Sequence, residues 1–314
     1  MMPVENVEGQ FAGIKGLEIF WQAWRVQAMP ARAVVVISHG AGEHSSRYEH
    51  VAIRYAGLGY PVYALDHRGH GRSGGPRALI DRLDNAAADL DVLIDMARRE
   101  HPEVPLFLLG HSLGATIALR YALRHQDKLD GMILSGTLAV IDLPPAPVRL
   151  AAKALSAIAP RLPALSVDPA TISRDPREVE AYRTDPLVHH GKLPVRTVAE
   201  IADATEAFPE QLGNLTLPLL LVHGSEDRLV SVRGSRLVHE RASSDDKTLK
   251  IYDGLFHEVV NELPQDREHV LTDIGAWLHT HSELPLSLRN HPRNPGIPPQ
   301  RPVERELRGS RIDP

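Results

Sequence analysis

The sequence contains no cysteine among its 314 residues. This absence excludes disulfide bonds, zinc sites with thiolate ligands and a cysteine nucleophile. The chain also lacks an uninterrupted apolar run near the ~20 residues that a membrane-spanning helix needs. Its first residues, MMPVENVEGQF, lack the basic and apolar regions of a signal peptide. We therefore expect a cytoplasmic protein, with reversible adsorption to a membrane left open.

An excess of positive charge is missing as well. The formal net charge is −5, which gives no electrostatic basis for binding nucleic acid. The phosphate-loop pattern G-x-x-x-x-G-K-[ST] is absent, and the adjacent pair His189 and His190 points in two directions rather than at one metal ion. We expect no cofactor, no metal and no nucleic-acid partner.

Short apolar runs alternate with amphipathic segments along most of the chain. Strands are predicted at 33–38, 61–66, 105–110, 131–135, 217–224 and 247–253, and helices at 47–58, 80–99, 113–125, 233–241 and 265–280. Such alternation favours a mostly parallel sheet with helices on both faces, the α/β class.

Two segments depart from this alternation. Residues 137–210 contain helical pieces and prolines but no clear strand, so we interpret them as an inserted helical cap. Residues 283–314 are rich in proline and arginine and poor in large apolar side chains, which predicts a disordered tail. One domain is then expected over 11–282.

A serine lies between two glycines where a predicted strand turns into a predicted helix. The stretch Gly110-His111-Ser112-Leu113-Gly114 fits G-x-S-x-G, the nucleophile elbow in which a strained turn exposes the serine. A serine in this position could instead cap the helix. The strand before it and the helix after it favour a nucleophile.

A serine hydroxyl needs a base, and the base needs a carboxylate to orient it. In this type of sheet the chain order is serine, acid, histidine, each after a strand. His257 follows the last predicted strand, and Glu226 and Asp227 follow the one before it. We prefer Asp227 as the acid, although spacing alone separates it only weakly from Glu226. An ordinary turn aspartate and an ordinary loop histidine are the alternatives.

The attack of the serine on an ester creates an oxyanion that needs hydrogen-bond donors. One predicted donor is the backbone N–H of Leu113, directly after the serine. The second is expected from the glycine-rich loop after the first strand, where we choose the backbone N–H of Ala41.

Several joined motifs, in this order, resemble those of the monoacylglycerol lipase family of α/β-hydrolases, closest to its bacterial-type members. They are HGAGEHSSRY, DHRGHGRSGG, GHSLG, TDPLVHHG, HGSEDRLV and YDGLFHEVVNE. The resemblance covers 11–278. It implies the α/β-hydrolase fold, a triad of Ser112, Asp227 and His257, oxyanion donors at Ala41 and Leu113, and a mobile helical cap over an acyl tunnel.

The resemblance also places three residues near the glycerol end of the substrate: Glu43, Arg47 and Tyr182. The alternatives are a solvated i,i+4 ion pair for the first two residues and cap packing for the tyrosine. Animal members carry a second histidine three residues after the catalytic one, where this chain has Val260. They also have cysteines near the pocket, and the tail has no counterpart in the family pattern.

The resulting prediction is a serine hydrolase that cleaves monoacylglycerol to glycerol and a fatty acid through an acyl-enzyme. The alternatives are a lysophospholipase or general carboxylesterase, and, in a different class, a non-catalytic ligand receptor on the same fold. Residues 147–162 place apolar side chains at helical spacing. This predicts a cap helix that covers the pocket and touches a membrane surface transiently.

Overall fold

The computed structural model describes residues 3–27, 29–142 and 145–283. Within these residues one eight-stranded sheet forms the centre of the protein, and a second, two-stranded sheet lies in the insertion. The predicted tail lies outside the described residues except for Glu283. No helix of the described part is long and apolar enough to cross a bilayer.

The central sheet is mostly parallel, as the alternating pattern predicts. Its strands are β1 (Glu5–Ala12), β2 (Glu18–Arg25), β3 (Val34–Ser38), β4 (Val62–Leu65), β5 (Leu106–His111), β6 (Gly131–Ser135), β9 (Leu219–Gly224) and β10 (Lys247–Tyr252). The spatial order is β1-β2-β4-β3-β5-β6-β9-β10. The pairs β1/β2 and β2/β4 are antiparallel, and all others are parallel.

Helices cover both faces of the sheet. They are α1 (Glu49–Ala56), α2 (Leu83–Glu100), α3 (Leu113–His125), α7 (Arg233–Arg241) and α8 (Pro264–Ser282). Side chains alternate along each strand, so Val34 and Val36 pack with α2, α3 and α7, whereas Val35 and Ile37 pack with α1 and α8. A sheet with two apolar faces must be covered on both.

Two strands precede the first predicted one, and β1 extends the sheet beyond the predicted domain start at residue 11. Strand β1 begins at Glu5 and pairs antiparallel with β2 from Glu5↔Arg25 to Ala12↔Glu18. The side chains of β1 are exposed or partly exposed, and its sequence is not the continuous apolar run that is typical of the parallel strands. An edge strand needs no such signal because only one of its faces packs on the core.

The insertion between β6 and β9 is mainly helical, with one difference from the prediction. It contains α4 (Ala146–Ile158), α5 (Pro176–Thr184) and α6 (Val195–Gln211), and also a small antiparallel pair, β7 (Pro163–Leu165) with β8 (Leu193–Pro194). Helix α6 is part of the core, because Ile201, Ala204 and Phe208 pack in the cluster that α2 and α3 share.

Candidate active site

Ser112 lies on a strained turn between β5 and α3. Its backbone has φ 53° and ψ −118°, the left-handed side of the map, which non-glycine residues adopt rarely. Its side chain makes no capping hydrogen bond to α3. Its N–H instead donates to the carbonyl of Ser135 on the neighbouring strand, at 2.9 Å. The geometry is that of an elbow rather than of a helix cap.

The two glycines beside Ser112 are required by close backbone approach. A Cβ at Gly114 would lie 2.0 Å from the carbonyl oxygen of Ser38, and a Cβ at Gly110 would lie 2.7 Å from the carbonyl oxygen of Gly114. Both distances are too short for any side chain. The pattern G-x-S-x-G therefore packs the start of α3 directly on the neighbouring strands.

His257 and Asp227 meet in loops after the last two strands. The imidazole Nδ1 and the carboxylate Oδ2 are 2.7 Å apart. Oδ1 of Asp227 accepts the backbone N–H groups of Leu229 and Val230, each at 2.9 Å. The side chain of Glu226 is exposed. Of the two carboxylates that spacing left open, Asp227 is the one that contacts the histidine.

The electrostatics of this pair keep the carboxylate charged. Burial alone would raise the pKa of Asp227, but His257, His223 and the Val230 amide hold that pKa well below its usual value. For His257 burial acts in the opposite direction and would lower the pKa. The charge of Asp227 outweighs it, so the pKa of His257 lies above its ordinary value. The nearby His111 is neutral, since burial lowers its pKa to about 4.

The loop after β3 supplies the second predicted oxyanion donor. Glu43 Oε1 accepts the N–H of Gly40, so that amide is already occupied. Among the described residues, neither the N–H of Ala41 nor the N–H of Leu113 donates to a backbone or side-chain acceptor. These two amides are therefore free to serve as the oxyanion donors that the sequence predicts, a role that stays a prediction.

A cavity of about 420 Å³ joins these groups. Ser112, His257, Gly40 and Ala41 lie in its wall. The insertion contributes apolar side chains, among them Leu165, Val167, Ile172, Leu193, Val198 and Ile201. Its volume is in the range of about 300–1,000 Å³ that small-molecule sites occupy. The site can hold an apolar chain and expose one end of it to the serine.

The three predicted head-group residues have different positions. Glu43 and Tyr182 line the cavity, whereas Arg47 does not. Arg47 lies behind the wall, with its guanidinium 4.9 Å from the centre of the Tyr182 ring. The solvated ion-pair alternative for Glu43 and Arg47 is wrong, because their side chains are only 3% and 8% exposed. The i,i+4 spacing identified the contact but not its burial.

Two residues at the site were not identified from the sequence. Glu258, next to His257, lines the cavity and binds Arg47 through both carboxylate oxygens. His223 Nε2 lies 3.0 Å from Asp227 Oδ2, the same oxygen that His257 contacts. Glu258 could have been identified from the sequence, because it is a carboxylate directly after the predicted base. Nothing in the sequence distinguishes His223 from the other histidines.

No cluster of three or more histidine and carboxylate side chains could hold a metal ion in the ranges that the structure covers. A hydroxyl on a strained turn, an imidazole oriented by a buried carboxylate and two unpaired amides can together transfer an acyl group.

Comparison with known proteins identifies a family for the chain. The family model described as "Serine aminopeptidase, S33" matches residues 29–264. A monoacylglycerol lipase of Mycolicibacterium smegmatis is 43% identical over 282 residues, 90% of this chain and all of that protein. Human monoglyceride lipase is 36% identical over 275 residues, 87% of this chain and 88% of that protein.

A solved structure is also similar. The crystal structure of Paleococcus ferrophilus monoacylglycerol lipase has a TM-score of 0.74 and 30% identity, and covers 88% of this chain and 99% of that one.

Proposed function

The chain belongs to the monoacylglycerol lipase family of α/β-hydrolases, and on that premise we propose that Ser112, His257 and Asp227 are its catalytic triad. The protein is a carboxylic ester hydrolase of the monoacylglycerol lipase kind. The products are glycerol and a fatty acid. The contact that carries the assignment of the triad is the 2.7 Å hydrogen bond between Asp227 and His257, in the cavity that Ser112 lines.

In the first half of the reaction, Ser112 Oγ attacks the ester carbonyl carbon. His257 Nε2 takes the hydroxyl proton, because Nδ1 is occupied by Asp227. The carbonyl oxygen becomes an oxyanion and accepts hydrogen bonds from the N–H groups of Ala41 and Leu113. His257 then gives its proton to the glycerol oxygen as the ester C–O bond breaks, which leaves an acyl-enzyme.

In the second half, water replaces glycerol in the site. His257 takes a proton from the water, whose oxygen attacks the acyl carbon of the acyl-enzyme. The same two amides hold the second oxyanion. The bond to Ser112 Oγ breaks, the serine recovers its proton from His257, and the fatty acid leaves. No step requires a metal or an organic cofactor.

The cavity supports a substrate with a single acyl chain. Each methylene of the chain that moves from water into an apolar wall gains about 0.8 kcal/mol. At the other end, Glu43 and Tyr182 present polar groups to the hydroxyls of glycerol. Contact of the cap with a membrane surface, and a cytoplasmic location, are parts of the same proposal.

The direct test is turnover by the purified protein of mono-, di- and triacylglycerols, lysophospholipids and p-nitrophenyl butyrate. We expect the highest kcat/KM for a monoacylglycerol. An aryl phosphonate should abolish turnover and label Ser112, and Ser112→Ala should lose roughly 10³–10⁶-fold in kcat while it remains folded.

A different ranking would change the proposal. Preference for lysophospholipids, or for butyrate alone, would indicate a lysophospholipase or a general carboxylesterase. Binding of lipid with no turnover at all would indicate a ligand receptor. An adduct on another serine would remove the triad as assigned.

A further inference from the structure

Glu258 is a buried carboxylate beside the catalytic base with no part in the steps above. Its two oxygens accept hydrogen bonds from the two terminal nitrogens of Arg47, at 2.7 and 2.8 Å. Asn261 donates to Oε2 at 2.8 Å. The side chain is only 5% exposed. A buried charge of this kind persists only where partners compensate it fully.

The same guanidinium continues to the other side of the site. Arg47 donates to Glu43 Oε2 at 2.7 Å. The second oxygen of Glu43 accepts the hydroxyl of Tyr48 at 2.8 Å and also the amide of Gly40. An unbroken series of charge-assisted hydrogen bonds therefore runs from the loop that carries His257 to the loop that carries the Ala41 amide.

Arg47 makes this series of hydrogen bonds rigid. A guanidinium is planar and binds a carboxylate through two parallel hydrogen bonds, which fixes both distance and orientation. Tyr182 packs on the face of the Arg47 guanidinium and keeps it in place. The two loops are far apart in sequence, and this bridge is a buried polar contact between them.

We propose that Glu258 is a positioning residue, which through Arg47 and Glu43 holds the loop of the base in register with the loop of the oxyanion donor. The proposal rests on the proposed ester hydrolysis. The acyl transition state needs the imidazole and the amide at fixed positions on the same carbon centre, where a misplacement of about 1 Å costs up to about 10²-fold in rate. Glu258 acts through these neighbours and need not touch the substrate.

A role in holding the cap can be separated from this one. The backbone N–H of Glu258 donates to the carbonyl of Ile172 at 2.8 Å, and Ser173 Oγ donates to the carbonyl of Asn261 at 2.7 Å. Both contacts use main-chain atoms of the base loop. They survive a change of the Glu258 side chain to glutamine, which keeps the size but loses the charge and the bidentate contact.

The test compares Glu258→Gln with a matched control, Asp89→Asn. Arg68 lies between Asp89 and Asp81 as Arg47 lies between Glu258 and Glu43, but away from the cavity. Both substitutions break a buried arginine–carboxylate contact, and both should lower the melting temperature. Only Glu258→Gln should lower kcat on p-nitrophenyl butyrate, by about 10- to 10²-fold with little change in KM.

The pH profile supplies a readout that loss of stability would not move. The charged or titratable groups that act on His257 are Asp227, Glu258, Glu43 and His111. Arg47 is paired with both glutamates. Asp227 is the main group that raises the pKa of His257, and the Glu258 charge adds to it. Removing that charge lowers the pKa of the base, so the acidic limb of kcat/KM should move to lower pH. Asp89→Asn should leave the limb where it is.

Three outcomes overturn the proposal. The first is a Glu258→Gln variant with wild-type kcat and pH profile. The second is a loss of kcat in Glu258→Gln on glycerol esters alone, which would make Glu258 a substrate contact. The third is an equal loss of kcat in Asp89→Asn. If Glu258→Gln fails to fold by circular dichroism, Arg47→Lys replaces it. That variant keeps the positive charge but loses the bidentate contact of the guanidinium with Glu258. An unchanged kcat in Arg47→Lys overturns the proposal, and a 10- to 10²-fold loss of kcat supports it.

The proposed function fails in a distinguishable way. A wild-type protein that hydrolyses no ester and takes no phosphonate label would overturn the proposed function, and this proposal with it. An active wild type with an unaffected Glu258→Gln variant would overturn only the positioning role.

Discussion

Asp227 and His257 meet through a single hydrogen bond of 2.7 Å, with both side chains almost completely shielded from solvent. The other carboxylate oxygen of Asp227 is held by two backbone amides. The carboxylate therefore cannot rotate away, and the imidazole presents Nδ1–H to it. In the proposed mechanism, this arrangement leaves Nε2 as the nitrogen that exchanges protons with Ser112.

Asp227→Asn tests this relationship. An amide in place of the carboxylate can donate to Nδ1 and so favours the wrong tautomer of His257. We expect kcat to fall by about 10⁴-fold on any ester, which is the loss that the same change causes in a serine protease. Steady-state kinetics with p-nitrophenyl butyrate measure it. The exposed neighbour Glu226→Gln is the control and should be nearly neutral, and the reverse ranking would move the acid to Glu226.

The strained turn at Ser112, and the positions of Asp227 and His257 in loops after neighbouring strands, were predictable from local signals. Helix α3 begins at Leu113 and ends at His125, as the sequence predicts, and β6 spans Gly131–Ser135 as predicted. Short apolar runs define parallel strands strongly, because both faces of such strands are buried. Since parallel strands end at one edge of the sheet, loops after them converge, and the order serine, acid, histidine could be predicted without coordinates.

The contacts between distant segments could not be predicted. Arg47 and Glu258 are 211 positions apart, and nothing local distinguishes this pair from any other opposite charges. Local spacing favoured a partner four residues away for Arg47, which is correct, but gave no information on burial. The same limit applies to α6, whose Phe208 is fully buried, because periodicity does not tell which neighbour covers an apolar face.

Acid should destabilise the fold through three buried histidines, His39, His67 and His70, which pack together just after β3 and β4. Burial lowers the pKa of His39 to about 4 and of His70 to about 3, and holds that of His67 well below its ordinary value. Their unfolded pKa is about 6.5, so the unfolded chain binds more protons below that pH and stability falls as the pH drops from about 6.5 towards 4. Each group contributes up to about 1.4 kcal/mol per pH unit.

Melting temperatures between pH 7.5 and 4.5 measure this dependence. His257 opposes it, because its raised pKa favours folding at acidic pH. It is outnumbered by His39, His67, His70 and His111, whose pKa values are all lowered. His70→Gln should flatten the curve, whereas His269→Gln, at a histidine that is 69% exposed, should leave it unchanged. A wild-type melting temperature independent of pH over this range would contradict the assignment of neutral histidines.

The outer face of α4 should bring the enzyme to lipid. Leu150 is 71% exposed and Ile158 is 84% exposed on this helix, which lies in the segment that covers the cavity. Apolar side chains on an interfacial helix bind a membrane in proportion to the area that they bury. The double variant Leu150→Ser, Ile158→Ser should therefore lower turnover of monoacylglycerol in vesicles several-fold and leave p-nitrophenyl butyrate turnover unchanged.

Leu58→Ser is the matched control for that variant. Leu58 is 49% exposed just after α1, outside the insertion. Its loss should affect neither substrate. Equal effects of the two variants on vesicle-borne substrate, or a loss on the soluble ester as well, would show that α4 supports the structure rather than the contact with lipid.

The last prediction concerns the choice among acylglycerols: monoacylglycerol should be cleaved with a much higher kcat/KM than triacylglycerol. Burial of one chain does not separate the two, since both offer one. The difference must arise at the glycerol end, where Tyr182 and Glu43 line the wall. Two free hydroxyls can pair with such groups, whereas added acyl chains leave them unpaired, at about 1–3 kcal/mol for each, and must also find space in a cavity of about 420 Å³.

Tyr182→Phe tests that end without disturbing the oxyanion loop. It removes one hydroxyl and keeps the ring against Arg47. We expect kcat/KM for monoacylglycerol to fall by about tenfold and that for p-nitrophenyl butyrate, which has no glycerol, to change little. Glu43 is a poorer probe, because it also holds the Gly40 amide, and its loss should lower turnover of both esters. Efficient cleavage of triacylglycerol by the wild type would mean that the glycerol end is open, and the enzyme a general lipase.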